Sequence, residues 1–185
     1  MPNPYRVAVV VGSLRKQAFS LRIGQALAKL APDALKLEIV TLHDLSFYNQ
    51  DLEAQAPADW LAFRDKIKSA DAVLFVTPEY NRSIPGVLKN AIDVGSRPYG
   101  QSAFDKKPAG VVSNSPGAIG AFGANHHLRQ CLTFLNMPVL QQPEAYVGGV
   151  GDAFNEQGDL VKDSLREFLQ KYIDAFAAWV AQQYK

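Results

Sequence analysis

At 185 residues, with 48% hydrophobic and 20% charged side chains, the chain has the composition of an ordinary globular protein and is long enough to bury a substantial core. A net charge of +1 gives no electrostatic reason to expect nucleic acid or an anionic membrane surface as a partner. The single cysteine, Cys131, excludes an intrachain disulfide framework, no apolar run approaches membrane-span length, and residues 1–4 carry no charged-then-apolar leader, so cytoplasmic residence is expected.

The first apolar run, residues 6–11, ends at Gly12 and reads as a buried strand entering a tight turn. Residues 20–30 follow with helical spacing of Leu21, Ile23, Gly24, Leu27, Ala28 and Leu30. Further strands are predicted at 37–42, 72–77 and 109–113, with a weaker one at 137–140 and another candidate at 145–147. Helices are predicted at 59–69, 85–95 and 125–135, and a closing helix at 163–183 keeps an apolar face through Leu165, Leu169, Ile173 and Val180. Strand–helix alternation with nearly all-apolar strands implies a parallel sheet covered on both faces. Five strands in this rhythm fit the flavodoxin-like order 2-1-3-4-5 better than the six-stranded dinucleotide fold. The expected architecture is a single α/β, doubly wound domain over residues 1–185, with no linker, repeat or low-complexity tract.

The loop after the first strand, Gly12-Ser13-Leu14-Arg15, lies between a strand and a helix N-terminus. Unpaired backbone N–H groups and the positive end of the helix dipole converge at such a place, which makes it an anion site. Ser13 and Ser20 add hydroxyl donors and Arg15 a planar fork suited to phosphate. Neither G-x-G-x-x-G nor G-x-x-x-x-G-K-[ST] is present, which favours a terminal monophosphate over a pyrophosphate or a magnesium-bound triphosphate. The competing role for Ser13 and Ser20 is capping of the helix.

In this topology ligands sit at the carboxyl ends of strands one and three. The loop after strand three, Pro78-Glu79-Tyr80-Asn81-Arg82-Ser83-Ile84-Pro85-Gly86, supplies an aromatic ring to cover a heterocycle and polar groups for its carbonyls and nitrogens. Its other reading is a turn shaped by Pro78, Asn81 and Pro85, with Tyr80 a surface aromatic. The loop after strand four, residues 113–123, is glycine-rich, so its backbone can approach a flat ligand. His126 and His127 stand at neither metal nor triad spacing and read as surface or structural residues, and Cys131 reads as a small core residue. No side chain is assigned a catalytic or metal-ligating role.

Together, Gly12-Ser13-Leu14-Arg15, Thr77-Pro78-Glu79-Tyr80-Asn81 with the run from Pro85 to Asp93, and Ser115-Pro116-Gly117 resemble the NADPH-dependent FMN reductase family, and within it the bacterial quinone reductases also described as chromate reductases. The resemblance covers almost the whole chain. It implies a flavodoxin-like fold, one non-covalent FMN, and two-electron ping-pong transfer from NADPH or NADH to quinones, with chromate, nitro and azo compounds as further acceptors. Ser13, Arg15 and Ser20 would hold the FMN phosphate, with Leu14 in the same binding loop. Pro78, Glu79, Tyr80, Asn81 and Arg82 would frame the isoalloxazine and ribityl groups, and Ser115 and Gly117 would close the ring site. A homodimer or homotetramer is implied as well.

One departure stands out. Relatives commonly continue the phosphate loop as Arg-x-x-Ser-x-Asn, whereas this chain has Arg15-Lys16-Gln17-Ala18-Phe19-Ser20. A hydrogen bond to a charged group is worth about 1.5–3 kcal/mol, so the missing hydroxyl at Ala18 predicts looser FMN retention unless Lys16 or Ser20 compensates. That favours, as the alternative activity, a reductase supplying reduced FMN to a partner monooxygenase. A non-catalytic electron carrier is the third reading, disfavoured by the lack of acidic charge for docking redox partners. Arg82, near the cleft, leans the donor preference towards NADPH.

Overall fold

The computed structural model describes residues 3–185; Met1 and Pro2, which belong to both the stretch read for a leader and the expected domain, lie outside the described residues. Strand β1 (Tyr5–Val11) leads through helix α1 (Phe19–Leu30) to β2 (Leu35–Val40), and α2 (Ala58–Ser69) leads to β3 (Ala72–Thr77). Then follow α3 (Gly86–Gly95), β4 (Ala109–Asn114), α4 (Phe122–Phe134), β5 (Ala145–Val147) and α5 (Asp163–Gln183). All pairings are parallel and the sheet order is β2-β1-β3-β4-β5, the flavodoxin-like arrangement. None of the described helices is long and apolar enough to cross a membrane.

The apolar strands are buried on both faces because successive side chains point to opposite sides. Ala8, Val10, Val73 and Phe75 join the core beneath α2, α3 and α4, while Val7, Val9, Leu74 and Val76 join the core beneath α1 and α5. Gly110 in β4 shows how tightly α5 is seated. A Cβ there would lie 2.8 Å from the Tyr172 hydroxyl and 2.9 Å from Leu74. That hydroxyl is fully buried, donates to the Val111 carbonyl at 3.2 Å, and is pushed to a high pKa by burial.

Most boundaries fall within one residue of the sequence expectation, and three elements depart further. Of the two candidates for the last strand, 145–147 pairs with β4. Residues 137–140 pair with β4 through the isolated bridge Val139–Ala109, where Ala109 N–H donates to Pro138 O at 2.9 Å and Leu140 N–H to Ala109 O at 2.8 Å; the next acceptor, Leu140 O, is taken by Arg129 Nη1 at 3.0 Å. Strand β2 runs Leu35–Val40 rather than 37–42, since Tyr5 of β1 is already in register with Leu35 and the ladder with β1 ends at Val10↔Val40. Helix α4 starts at Phe122, three residues before the expected start, because its cap comes from another loop.

Candidate active site

The loops after β1, β3 and β4 meet at the carboxyl edge of the sheet. Gly12 extends the ladder by donating its N–H to Val76 O at 2.9 Å, and a Cβ on it would stand 2.9 Å from Thr77 Oγ1. Only glycine lets the first and third loops approach so closely. Asn114, buried at the end of β4, ties the same point together: its Nδ2 donates to Ser20 Oγ at 2.9 Å and to Thr77 O at 3.1 Å. Nothing in the spacing of the sequence marks Asn114 for this role; only the parallel pairing brings it there.

The first loop is open to an anion. Ala18 is the N-cap of α1 and makes no side-chain cap bond. Ser13 instead accepts the Arg15 N–H at 3.4 Å, and Ser20 is buried against Asn114, so neither serine caps the helix. The first-turn N–H groups therefore have no side-chain acceptor among the described residues, and the helix dipole adds positive potential there. Leu14 and Arg15 are exposed, and Arg15 has no ion-pair partner among the described residues. His43, which the sequence reading did not single out, reaches over from the end of β2 and places Nε2 2.9 Å from Leu14 O, bracing the loop.

The loop after β3 is a tight hairpin. Tyr80 and Ser83 exchange both backbone hydrogen bonds, at 2.9 and 3.0 Å, and the two residues between them, Asn81 and Arg82, have φ of 51° and 67°. Asparagine tolerates that region and arginine does not favour it, so the turn stores strain of about 1–2 kcal/mol at Arg82. The Arg82 side chain is 76% exposed and reaches Glu79 Oε1 at 3.5 Å. Glu79 is mostly buried, and its Oε2 accepts the N–H of Ala124 at 3.0 Å, capping α4. Gly123 makes room, since a Cβ there would lie 2.9 Å from Glu79 Oε2. Pro78 follows β3 directly and accepts the Thr77 hydroxyl at 2.8 Å, while Tyr80 stays half-exposed at the rim. Helix α3 begins beyond Pro85 with no side-chain cap, so a second open N-terminus follows this loop.

In the loop after β4, Ser115 Oγ accepts the Gly117 N–H at 2.9 Å, which turns the chain sharply, and Gly120 adopts φ +58° against the backbone of Tyr146. Each histidine acquires a partner from another element: His127 Nδ1 lies 2.6 Å from Ser83 Oγ, and His126 Nε2 lies 2.8 Å from the Tyr146 hydroxyl. Burial, reinforced by Glu144, pushes Tyr146 up to about 12. Burial also raises the Cys131 thiol, consistent with a packing residue.

This geometry can be set beside known proteins. A family model described as NADPH-dependent FMN reductase matches residues 5–152. The chain belongs to that family. It is 60% identical over 181 residues to a quinone reductase of Pseudomonas putida, with 97% of each chain covered. It is 43% identical over 175 residues to a 2-hydroxy-1,4-benzoquinone reductase of a Burkholderia species, covering 95% and 96%. The structure of FerB, a flavoenzyme NAD(P)H:(acceptor) oxidoreductase from Paracoccus denitrificans, superimposes with a TM-score of 0.88 at 43% identity, covering 97% of this chain and 98% of that one. As a member of the NADPH-dependent FMN reductase family, the protein is an oxidoreductase that works with FMN and a reduced nicotinamide nucleotide. Its residues fit the cofactor: an uncapped α1 N-terminus beside Arg15, which has no ion-pair partner among the described residues, suits a phosphate, and the lack of a side chain at Gly12 and Gly117, whose N–H groups are spent on Val76 O and Ser115 Oγ, lets a flat ring approach the backbone.

Proposed function

We propose that this protein is an FMN-dependent NAD(P)H:quinone oxidoreductase formed by one domain of residues 1–185, resident in the cytoplasm. The observation that carries the reading is the convergence of the three loops after β1, β3 and β4 on one sheet edge, beside two helix N-termini that have no side-chain cap. The quinone reductase relatives, matched along nearly their whole length, support the substrate class.

In this reading Ser13, the Leu14 backbone, Arg15 and Ser20 hold the FMN phosphate. Pro78, Glu79, Tyr80, Asn81 and Arg82 border the ring and ribityl chain, and Ser115 and Gly117 close the third side. Bound FMN supplies hydride acceptance from the nicotinamide and two-electron delivery to the acceptor. The chain's own contribution is positional and electrostatic. The uncapped N-terminus of α3 presents positive potential where negative charge develops on reduction. Tyr80, half-exposed, offers a face for a planar acceptor. No side chain is given a proton-transfer role, and donor and acceptor use the same place in turn. Chromate, nitro and azo compounds are further acceptors of this open site, and Arg82 favours NADPH over NADH.

A second reading, delivery of reduced FMN to a monooxygenase, is favoured by one feature: Ala18 at the α1 N-cap gives a bound phosphate one hydroxyl fewer. The subunits associate as a homodimer or homotetramer. The groove between α3 and α4, of about 900 Å³ and rimmed by Tyr99 and Phe134 at 86% and 85% exposure, supports that association. Sedimentation analysis tests it, and a monomer at micromolar concentration would refute it.

Anaerobic titration of FMN-loaded protein with NADPH, then NADH, followed by benzoquinone, tests the activity. Flavin bleaching and return of the oxidised spectrum with flavin still bound is the expected result. Bleaching with release of flavin would favour the second reading, and no bleaching with either nucleotide would refute both.

A further inference from the structure

A second basic cavity lies away from the three loops, where the segment after α4 runs beside the start of β4. It has a volume of about 670 Å³ and is lined by Arg129, Lys106, Asn136, Gln141 and Gln183 together with apolar side chains; no carboxylate lines it among the described residues. Arg129 is partly buried. Its Nε donates to Asn125 Oδ1 at 2.9 Å and its Nη1 to Leu140 O at 3.0 Å, but Nη2 is buried without a partner among the described residues. An amide and a carbonyl orient the guanidinium without neutralising it, and no acid among the described residues stands within ion-pair distance. A half-buried cation held this way carries a desolvation cost that a counter-ion removes.

Lys106 adds a second positive charge with no ion-pair partner among the described residues. It sits at φ +60°, its N–H fixed on Asn136 O at 3.1 Å, so the backbone is committed to an unfavourable region while the side chain stays exposed. Asp105, its neighbour in sequence, accepts the Asn136 amide at 2.8 Å and lines the separate groove between α3 and α4. Gln141, whose Nε2 already donates to Val139 O at 3.0 Å, and Gln183 add neutral amides to the lining.

We propose that this cavity is a second anion site, taking a compact oxyanion, phosphate or carboxylate, independently of the flavin phosphate. Arg129 is the preoriented anchor, and Lys106 the exposed charge that draws the anion in.

The test uses FMN-saturated protein, so that the loop at Arg15 is occupied. Inorganic phosphate and, separately, citrate are titrated while the Nε–Hε resonances of Arg129 and Arg15 are followed by NMR. A saturable shift at Arg129 with Arg15 unmoved is expected, and Lys106→Gln should weaken the apparent affinity about threefold, the size of one exposed charge pair. Saturation by phosphate alone, by citrate alone or by both identifies the oxyanion source. A shift that stays linear with both probes, or one that Lys106→Gln leaves unchanged, overturns the proposal. Arg129→Lys, which keeps the charge but not the fork, supplies a folded control expected to bind more weakly.

Discussion

The carboxylate of Glu79 accepts the backbone N–H of Ala124 at 3.0 Å, so the loop after β3 caps the helix that follows β4. Two of the three loops at the candidate site are thereby coupled through one acidic side chain. Ala121, the local N-cap, is left-handed at φ 62° and has no side chain able to do this. Replacement of Glu79 by Ala should cost about 1–2 kcal/mol, the size of a lost cap helped by the helix dipole, and should weaken FMN binding. Glu79→Gln, which keeps an acceptor, should recover most of the stability. Thermal unfolding and flavin titration of both variants check this.

The N-cap of α1 is an alanine in an N-cap backbone conformation, φ −64° and ψ 135°. Ala18→Ser should raise the stability of the FMN-free protein by about 1 kcal/mol and slow FMN loss on dialysis. Stoichiometric flavin retained by the unaltered protein after extensive dialysis would show that Ala18 imposes no deficit.

Arg82 trades strain for a side chain held at the rim, at φ 67° and largely exposed. Arg82→Gly should therefore stabilise the fold by about 1 kcal/mol while lowering the ratio of kcat/KM for NADPH over NADH. Chemical denaturation and steady-state kinetics separate the two effects. A variant less stable than the parent would show that Arg82 contributes more through Glu79 than the strain costs.

His43 contacts the phosphate loop at one atom, Leu14 O. His43→Ala should raise the Kd for FMN about fivefold, the equivalent of one net hydrogen bond near 1 kcal/mol, with little change in Tm. His43→Gln, with a side-chain N–H of similar reach, should restore affinity.

Four tyrosines, Tyr48, Tyr146, Tyr172 and Tyr184, have pKa values raised in the folded protein, Tyr146 to about 12 and mainly by burial. A raised tyrosine favours the neutral form in the fold, so stability is fully present below the unfolded value of 10.0 and is lost as pH rises above it. Unfolding free energy should decline from about pH 10, and Tyr172→Phe, which removes the most buried phenol, should flatten that decline. An unchanged slope would point to the other three.

Pattern alone carries much of this protein. The all-apolar β1 and β3, the spacing in α1 and the amphipathic α5 specify a doubly wound α/β fold because burial on both faces needs that composition. The loop residues Ser13, Arg15 and Tyr80 announce their chemistry in the same way, since their types and their place after a strand are local properties. Pairings across the sheet are different. Asn114 with Ser20, Glu79 with Ala124 and His43 with Leu14 join residues 94, 45 and 29 positions apart. Residues 145–147 rather than 137–140 form the last strand, and the Leu140 carbonyl is held by the Arg129 side chain, eleven positions away, instead of by β4. Local sequence determined which elements form and which side chains can bind an anion or a ring; tertiary structure alone decided which polar groups are already spent on one another and which are left free, because hydrogen-bond partners are chosen by proximity in space and not along the chain.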